Sequence, residues 1–126
     1  MDDDEVVREV AAGMIASIGY AASTAESGEQ AVALFCKARE EGSPFDIVIL
    51  DLTVKRGMGG EETVRRLREI DPDVKAVVSS GYSDAAVVAD FRAHGFSACL
   101  NKPYRLGGLR DCLLSLLKTS GPAAQA

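Results

Sequence analysis

An aspartate, a serine and a lysine each stand at the end of an apolar segment of the chain. Asp51 follows the apolar run Ile47–Leu50. Ser80 and Lys102 stand at the ends of the next two apolar segments. A carboxylate can attack phosphorus and form an aspartyl phosphate, while a hydroxyl and an ammonium group contact the phosphoryl oxygens. These residue types therefore predict phosphoryl transfer to Asp51, assisted by Ser80 and Lys102.

This chemistry needs a cation, because the charges of the carboxylate and of the phosphoryl group repel each other. In proteins Mg²⁺ takes oxygen ligands, typically one or two carboxylates together with phosphate oxygens and water. Asp3 and Asp51 supply such carboxylates, and Asp2 supports them. The backbone carbonyl of Thr53 is a further candidate ligand. The sequence therefore predicts a magnesium site made of these residues.

Alternating strands and helices are predicted to position these side chains. The strands are apolar runs, and the helices show apolar residues at helical spacing with capping residues at their ends. The predicted strands are Tyr20–Ala25, Ile47–Leu50, Val74–Ser80 and Ser97–Asn101. Five helices are predicted. The first ends at Gly19, and the second is capped by Ser27 and Gln30 and ends near Gly42. The third has Glu61 and Glu62 in its first turn and ends at Asp71, the fourth is capped by Ser83 and Asp84 and ends at His94 and Gly95, and the fifth runs from Leu106 to Leu117.

This alternation predicts a parallel sheet with helices on both faces, because parallel strands need crossover connections. Five helices require five preceding strands, but only Met1 and an acidic cluster precede the first helix. Either the chain begins inside this strand, or a neighbouring chain fills the gap. Ligands of such folds bind beyond the carboxyl ends of the strands. We therefore expect Asp2 and Asp3, which stand where the missing strand should end, to lie beside Asp51.

Composition argues against several classes of function. The 126 residues fit one domain, and a net charge of −5 without a cluster of basic and aromatic residues argues against direct binding of nucleic acid. The three cysteines lack the spacing of a disulfide framework or a zinc site and indicate reduced thiols. The sequence shows neither a targeting segment nor a membrane-spanning run, so we expect a cytoplasmic domain without membrane contact.

The motifs at the strand ends follow one another in a definite order. They are Asp2-Asp3, Asp51, Ser80-Gly81 and Lys102-Pro103. Their order and spacing resemble the receiver domains of two-component response regulators over essentially the whole chain except the first strand. The resemblance implies a flavodoxin-like (CheY-like), doubly wound sheet of five parallel strands in the order 2-1-3-4-5, with its first strand largely missing. Residues 1–118 would form the receiver domain, and the small, polar residues 119–126 would form a flexible tail or linker.

The resemblance implies a role for each of these residues. Asp51 would accept a phosphoryl group from the phosphohistidine of a histidine kinase or of a histidine phosphotransfer domain. Asp2 and Asp3 would bind Mg²⁺ together with Asp51. The hydroxyl of Ser80 would follow the phosphoryl group, and Lys102 would act as its counter-ion. Such a domain catalyses its own aspartyl phosphorylation and dephosphorylation and is not a conventional enzyme by itself.

Three further positions are expected to shape the response. Many receivers carry an aromatic residue three positions before the lysine, where this chain has Cys99, so we expect little change around the last strand on phosphorylation. Thr53 and Tyr82 stand where receivers control the path of the hydrolytic water, and neither carries a carboxylate or an amide suited to orienting it. We therefore expect a long-lived phosphoaspartate, unless Tyr82 only packs against its loop.

Several contexts and rival functions stay open. The extended loop after Asp51 resembles that of receivers at the carboxyl end of hybrid histidine kinases, which is the context that we favour. A free-standing single-domain response regulator is the alternative. A phosphatase of the haloacid dehalogenase type would need a second aspartate at the position of Thr53. A pseudo-receiver that only binds partners would not need Ser80 and Lys102. The oligomeric state is left open.

Overall fold

A computed structural model describes residues 1–52, 58–80 and 89–118 of the chain. The described strands are β1 (Val48–Asp51), β2 (Ala76–Ser80) and β3 (Ala98–Asn101). They pair in parallel in the order β1-β2-β3. The described helices are α1 (Glu5–Ile18), α2 (Gly28–Glu40), α3 (Gly60–Ile70) and α4 (Leu106–Lys118). This confirms the predicted parallel α/β fold, and the sheet order agrees with the last three strands of the order 2-1-3-4-5.

The sheet is covered by helices, which explains why its strands are continuous apolar runs. Strand β2 lies in the middle of the described sheet and is buried at every residue. Helix α1 contacts α4, and α2 contacts α3. The main core is formed by Phe35, Leu50, Val64, Leu67, Val74, Ala76, Val78 and Phe96. Its residues come mainly from α2, α3, β1 and β2, so this part of the molecule is the most tightly packed.

The predicted helix ends are present in the structure. Gly19 ends α1 in the left-handed conformation, with a φ of 108°, which glycine adopts without steric cost. The hydroxyl of Ser27 accepts a hydrogen bond from the Gln30 backbone N–H at 3.3 Å. In return, Oε1 of Gln30 accepts from the backbone N–H of Glu26 at 2.7 Å. This reciprocal arrangement satisfies backbone donors that the first turn of α2 leaves unpaired.

Met1 and Asp2 lie where the missing first strand would end. The nitrogen of Met1 donates to the Ile49 carbonyl at 2.6 Å, and the Asp51 N–H donates to the Met1 carbonyl at 2.9 Å. On the other side, the Asp2 N–H donates to the Ala25 carbonyl at 3.0 Å. Met1 thus pairs with β1 as the last residue of a parallel strand would.

Two predicted elements were wrong in their extent. Tyr20–Ala25 does not form a strand, because the neighbour that it would pair with is reduced to two residues. The predicted helix that ends at His94 begins outside the described residues, and residues 90–95 form turns with hydrogen bonds three residues apart. Gly95 closes these turns with a φ of 96°.

Among the described helices, none is long and apolar enough to cross a membrane.

Candidate functional site

The carboxyl ends of the three described strands bring the predicted site residues to one edge of the sheet. Asp51 ends β1, Ser80 ends β2, and Lys102 follows the last residue of β3. The ammonium nitrogen of Lys102 lies 2.9 Å from Oδ1 of Asp51, although these residues are 51 positions apart in the chain. Parallel pairing causes this meeting, because the carboxyl ends of all strands in a parallel sheet lie at the same edge.

Lys102 also binds the first acidic residue of the chain. Its ammonium nitrogen lies 2.8 Å from Oδ2 of Asp2. Burial by itself would lower the pKa of Lys102, but the hydrogen bonds and charges of Asp2 and Asp51 outweigh burial and raise it. The side chain therefore stays a cation at physiological pH. A fixed cation at this edge of the sheet can offset the charge of an anionic group bound beside Asp51.

The acidic residues converge at the same place. Asp2, Asp3 and Asp51 each offer a carboxylate oxygen, and these oxygens lie within 4.8 Å of one another. Asp2 and Asp51 are buried, with 4% and 3% of their surfaces exposed. The start of α1 helps to orient Asp2, whose Oδ1 accepts from the Asp4 backbone N–H at 2.9 Å. Arg8 contributes as well by donating to the Asp2 carbonyl at 2.9 Å.

The chemistry of this cluster fits a hard divalent cation. All of its ligand atoms are carboxylate oxygens, which Mg²⁺ and Ca²⁺ prefer over nitrogen or sulfur donors. Three carboxylates converge at this place, two of them buried, and they would attract a divalent cation strongly. The residues present therefore suit Mg²⁺ at this position.

Two neighbouring serines of β2 have different surroundings. Ser80 is 1% exposed, and its hydroxyl has no hydrogen-bond partner among the described residues. The hydroxyl of Ser79 instead forms a hydrogen bond with the hydroxyl of Tyr104. Successive residues of a strand face opposite sides of the sheet, which separates the two hydroxyls. A buried hydroxyl without a partner is costly, which makes Ser80 a candidate for contacting a bound ligand.

The bond between Ser79 and Tyr104 was not predicted from the sequence. Tyr104 follows the Lys102-Pro103 motif, and burial raises the pKa of its hydroxyl, against the opposing effect of its hydrogen bond with Ser79. The sequence feature that could have indicated this bond is the pair of adjacent hydroxyls of Ser79 and Ser80. Because only one of two consecutive strand residues can face the site, the other needs a different partner.

A glycine lets helix α3 approach the back of the site. A Cβ atom built on Gly60 would lie 2.7 Å from the carbonyl oxygen of Asp51 and 3.1 Å from the Cα of Leu52. Any larger residue at this position would push against the backbone that carries Asp51. Gly60 therefore allows the first turn of α3 to pack directly on the end of β1.

The remaining candidate residues fall elsewhere. Cys99 lies in β3, paired with Val78, and packs against the main core, half-buried. Its expected effect on the response to phosphorylation stays a prediction. Thr53 and Tyr82 lie outside the described residues, as does the predicted tail of residues 119–126. The Thr53 carbonyl as a magnesium ligand, and Thr53 and Tyr82 as positions that control hydrolysis of the phosphoaspartate, therefore stay predictions.

Comparison with known proteins identifies relatives of the chain. Residues 1–114 match the family model described as the response regulator receiver domain. The chain is 30% identical over 108 residues to the response regulator receiver protein CpdR of Brucella abortus, covering 86% of this chain and 85% of that protein. It is 25% identical over 117 residues to sporulation initiation phosphotransferase F of Bacillus subtilis, covering 93% of this chain and 90% of that protein.

A third relative is much longer than this chain. The sensor kinase CckA of Brucella abortus is 30% identical over 118 residues, which are 94% of this chain but only 12% of the kinase. Among solved structures, a response regulator receiver domain protein from Clostridium thermocellum superposes with a TM-score of 0.84 at 19% identity. That match covers 94% of this chain and 91% of the other, and it shows the shared fold.

Proposed function

Because the chain belongs to the response regulator receiver domain family, we propose that Asp51 accepts a phosphoryl group from the phosphohistidine of a histidine kinase or of a histidine phosphotransfer domain. Receiver domains of this family act with such proteins in two-component systems. The contact between Lys102 and Asp51, inside the acidic cluster at the strand ends, carries this proposal.

In the proposed reaction, a carboxylate oxygen of Asp51 attacks phosphorus as the bond between phosphorus and the histidine nitrogen breaks. The electron pair of that bond leaves with the imidazole of the partner, and an acyl phosphate forms on Asp51. Lys102, held as a cation by its two carboxylate partners, compensates charge on the phosphoryl oxygens. The buried hydroxyl of Ser80 donates to one of these oxygens and thereby gains a hydrogen-bond partner.

The acidic cluster is proposed to hold Mg²⁺. Asp2, Asp3 and Asp51 would be its protein ligands, joined by the backbone carbonyl of Thr53. Bound Mg²⁺ would reduce the repulsion between the Asp51 carboxylate and the phosphoryl group. The orientation of these acids depends on the backbone bonds that fix Met1 and Asp2 beside β1 and on the contact between Asp2 and Lys102.

Intact-mass measurement tests the phosphoacceptor. The protein is incubated with acetyl phosphate and Mg²⁺, and we expect one added phosphoryl group that is lost in Asp51→Asn. Asp46→Asn is the matched control, because Asp46 is exposed and lies two residues before the start of the same strand. An unmodified native protein, or equal labelling of Asp51→Asn, would contradict the proposal. Omitting Mg²⁺ should suppress labelling, and equal labelling in excess chelator would contradict the metal assignment.

We favour the cytoplasmic receiver of a hybrid sensor kinase as the context. The long relative CckA carries a similar segment within a sensor kinase, whereas the relative CpdR is little longer than this chain. An antibody raised against this domain can separate the two contexts in the source organism. A band far above 13.3 kDa in the soluble or membrane fraction supports a multidomain kinase. A band at that mass would instead support a free-standing response regulator.

A further inference from the structure

Helix α3 begins without a side chain of its own to cap it. Asp4 caps α1 and Ser27 caps α2 through side-chain oxygens, whereas the residue at the start of α3 is Gly59, which has no side chain. The first N–H groups of a helix have no partners within the helix. In α3 the N–H of Gly60 donates to the Leu52 carbonyl at 3.4 Å instead. The position of this helix start therefore depends on contacts with other parts of the chain.

The first turn of α2 supplies such contacts by binding Met58, the residue that precedes Gly59. The backbone N–H of Met58 donates to Oε1 of Glu29 at 2.6 Å. The carbonyl of Met58 accepts from the backbone N–H of Gly28 at 3.0 Å. Both backbone groups of Met58 are thus bonded to two consecutive residues of another helix. Two bonds in opposite directions fix the position of this residue relative to α2.

Close packing at Gly28 brings the first turns of α2 and α3 together. A Cβ atom built on Gly28 would collide with Oγ1 of Thr63 and would lie 2.7 Å from the Met58 carbonyl oxygen. Oγ1 of Thr63 in turn donates to the Gly59 carbonyl at 2.6 Å. Gly28 and Thr63 are both buried. A displacement of Met58 would therefore move the start of α3 as well.

The same start of α3 packs on the backbone of Asp51. A Cβ on Gly60 would lie 2.7 Å from the Asp51 carbonyl oxygen, so the two backbones are in direct contact. Gly59 approaches the next residue in the same way, because a Cβ there would lie 3.0 Å from the Leu52 carbonyl oxygen. A continuous series of contacts thus leads from Glu29 to the backbone that carries the Asp51 carboxylate.

We propose that Glu29 is a positioning residue for phosphoryl acceptance, which acts on Asp51 through Met58 and the start of α3. The inference rests on the proposed role of Asp51 as the phosphoacceptor. The bond from Met58 also lowers the pKa of Glu29, so the side chain stays a carboxylate acceptor at neutral pH. Attack on phosphorus tolerates little displacement of the attacking oxygen, since a shift of about 1 Å can cost about 100-fold in rate.

Three substitutions of Glu29 separate the hydrogen bond from the charge. Glu29→Ala removes both, Glu29→Asp keeps the charge on a side chain that is too short, and Glu29→Gln keeps the length and Oε1 without the charge. We expect the maximal rate of labelling by acetyl phosphate at saturating Mg²⁺ to fall about threefold to tenfold in the first two and to stay within about twofold of native in Glu29→Gln. The acetyl phosphate concentration at half-maximal rate should change little.

The labelling rates can contradict this proposal in several ways. A native rate in Glu29→Ala would overturn it. A slow Glu29→Gln beside a native Glu29→Asp would overturn it too, because the charge and not the bond would then matter. A change confined to the half-saturating concentration of acetyl phosphate would mean that Glu29 affects binding of the donor. Glu40→Ala is the matched control at an exposed residue of the other end of α2, and an equal loss of rate there would overturn the location.

Backbone amide resonances test the series of contacts without relying on labelling. In Glu29→Ala we expect faster hydrogen exchange of the Met58 amide and shifted amide resonances of Gly60 and Asp51, whereas Glu29→Gln should restore both. An unchanged Asp51 resonance in Glu29→Ala would overturn the proposal even if the rate fell. A native protein that acetyl phosphate does not label would contradict the role of Asp51 itself. A labelled native protein whose rate Glu29→Ala leaves unchanged would contradict the role of Glu29 alone.

Discussion

The two sides of β1 differ in how completely they are packed. Toward β2, the sheet continues into a strand that is buried at every residue, and the main core lies there. Away from β2, Met1 is bonded to β1 and Asp2 to Ala25, and a cavity lined by residues of α1, α2 and α4 follows. The site residues from both sides of β1 lie at the same edge of the sheet. Only the end of a strand is needed to position its terminal acids, so Met1 and Asp2 are enough to order this edge.

The backbone of Met1 explains how the acidic cluster is held on the poorly packed side. Two hydrogen bonds join Met1 to β1, and one joins Asp2 to Ala25. Lys102 then ties Asp2 to Asp51 through its ammonium group. The geometry of the site thus depends on backbone bonds and one ion-pair bridge, whereas the stability of the domain depends on the core beyond β1.

The largest effect is expected from a substitution in the main core, on the side of β1 that faces β2. Leu67→Ala should lower the free energy of unfolding by about 2–5 kcal/mol, because Leu67 is fully buried and its truncation leaves a cavity. Ile15→Ala in α1 should cost about 1 kcal/mol or less, because Ile15 already borders open space. Urea denaturation followed by circular dichroism measures both. Equal losses in the two variants would mean that the cavity beside α1 is closed in solution.

Removing the bridge between the two sides should have the next largest effect. Lys102→Met leaves Asp2 and Asp51 buried near each other without their shared cation, and we expect a loss of about 1–3 kcal/mol. Lys75→Met is a control, since Lys75 also bonds across the fold, donating to the Leu116 carbonyl at 2.9 Å, but lies away from the acids. Mg²⁺ should stabilise Lys102→Met more than the native protein, because the acidic cluster then carries more uncompensated charge. An equal response to Mg²⁺ would contradict this account.

The pH dependence of that loss follows from the raised pKa of Lys102. A raised pKa favours the folded state while the group is protonated in both states, and this contribution disappears only as pH rises through the folded value. The contribution of Lys102 should therefore be complete below the ordinary lysine pKa of 10.5 and decline above it. The difference in stability between Lys102→Met and the native protein should be constant from about pH 8.5 to pH 9.5, above the range in which the Met1 amino group, whose pKa burial lowers to about 6, takes up a proton. A difference that shrinks within this range would point to another titrating group.

A substitution at Gly60 tests whether the packing of α3 on the end of β1 supports the site. Gly60→Ala brings a Cβ to 2.7 Å from the Asp51 carbonyl oxygen, and we expect it to cost about 1–3 kcal/mol and to slow phosphoryl acceptance. Gly13→Ala is the matched control in α1, where a Cβ meets nothing within 4 Å. That change should stabilise the protein by about 0.5–1 kcal/mol, because alanine favours the helix interior. An unchanged rate of labelling in Gly60→Ala would show that the backbone at Asp51 can shift to accommodate the added Cβ.

Much of the fold was predictable because burial on both faces leaves a simple trace in the sequence. The strands of the packed side are continuous apolar runs, and parallel pairing then determines that Asp51 and Lys102 meet. The position of Asp2 and Asp3 beside Asp51 followed from the same rule. These predictions needed only the alternation of elements and the residues at the strand ends.

Other features depend on contacts that the sequence does not display. Tyr20–Ala25 has a plausible strand composition, but a strand needs a hydrogen-bonded neighbour, and here that neighbour is two residues long. The different surroundings of Ser79 and Ser80 depend on which face of the sheet each residue of β2 points to, and a strand that is buried on both faces does not reveal this in its sequence.

The smallest expected effect concerns the hydrogen-bonded hydroxyls of Ser79 and Tyr104. Tyr104→Phe removes the partner of the Ser79 hydroxyl while keeping the aromatic ring, and we expect it to cost about 1 kcal/mol. Tyr20→Phe is the control at the cavity, where no hydrogen bond of the tyrosine hydroxyl is found among the described residues. It should change stability by less than about 0.5 kcal/mol.

Phosphoryl acceptance separates the roles of the two serines. Because Ser79 is engaged by Tyr104, Tyr104→Phe should leave the rate of labelling by acetyl phosphate close to that of the native protein, whereas Ser80→Ala should slow it. Ser79→Ala is the matched substitution one residue earlier in the same strand, and it should resemble Tyr104→Phe in both stability and labelling. If Ser79→Ala slows labelling as much as Ser80→Ala does, the hydroxyl that contacts the phosphoryl group has been assigned to the wrong serine. A slow reaction in Ser80→Ala alone would support the assignment, because the two hydroxyls differ only in the face of β2 from which they project.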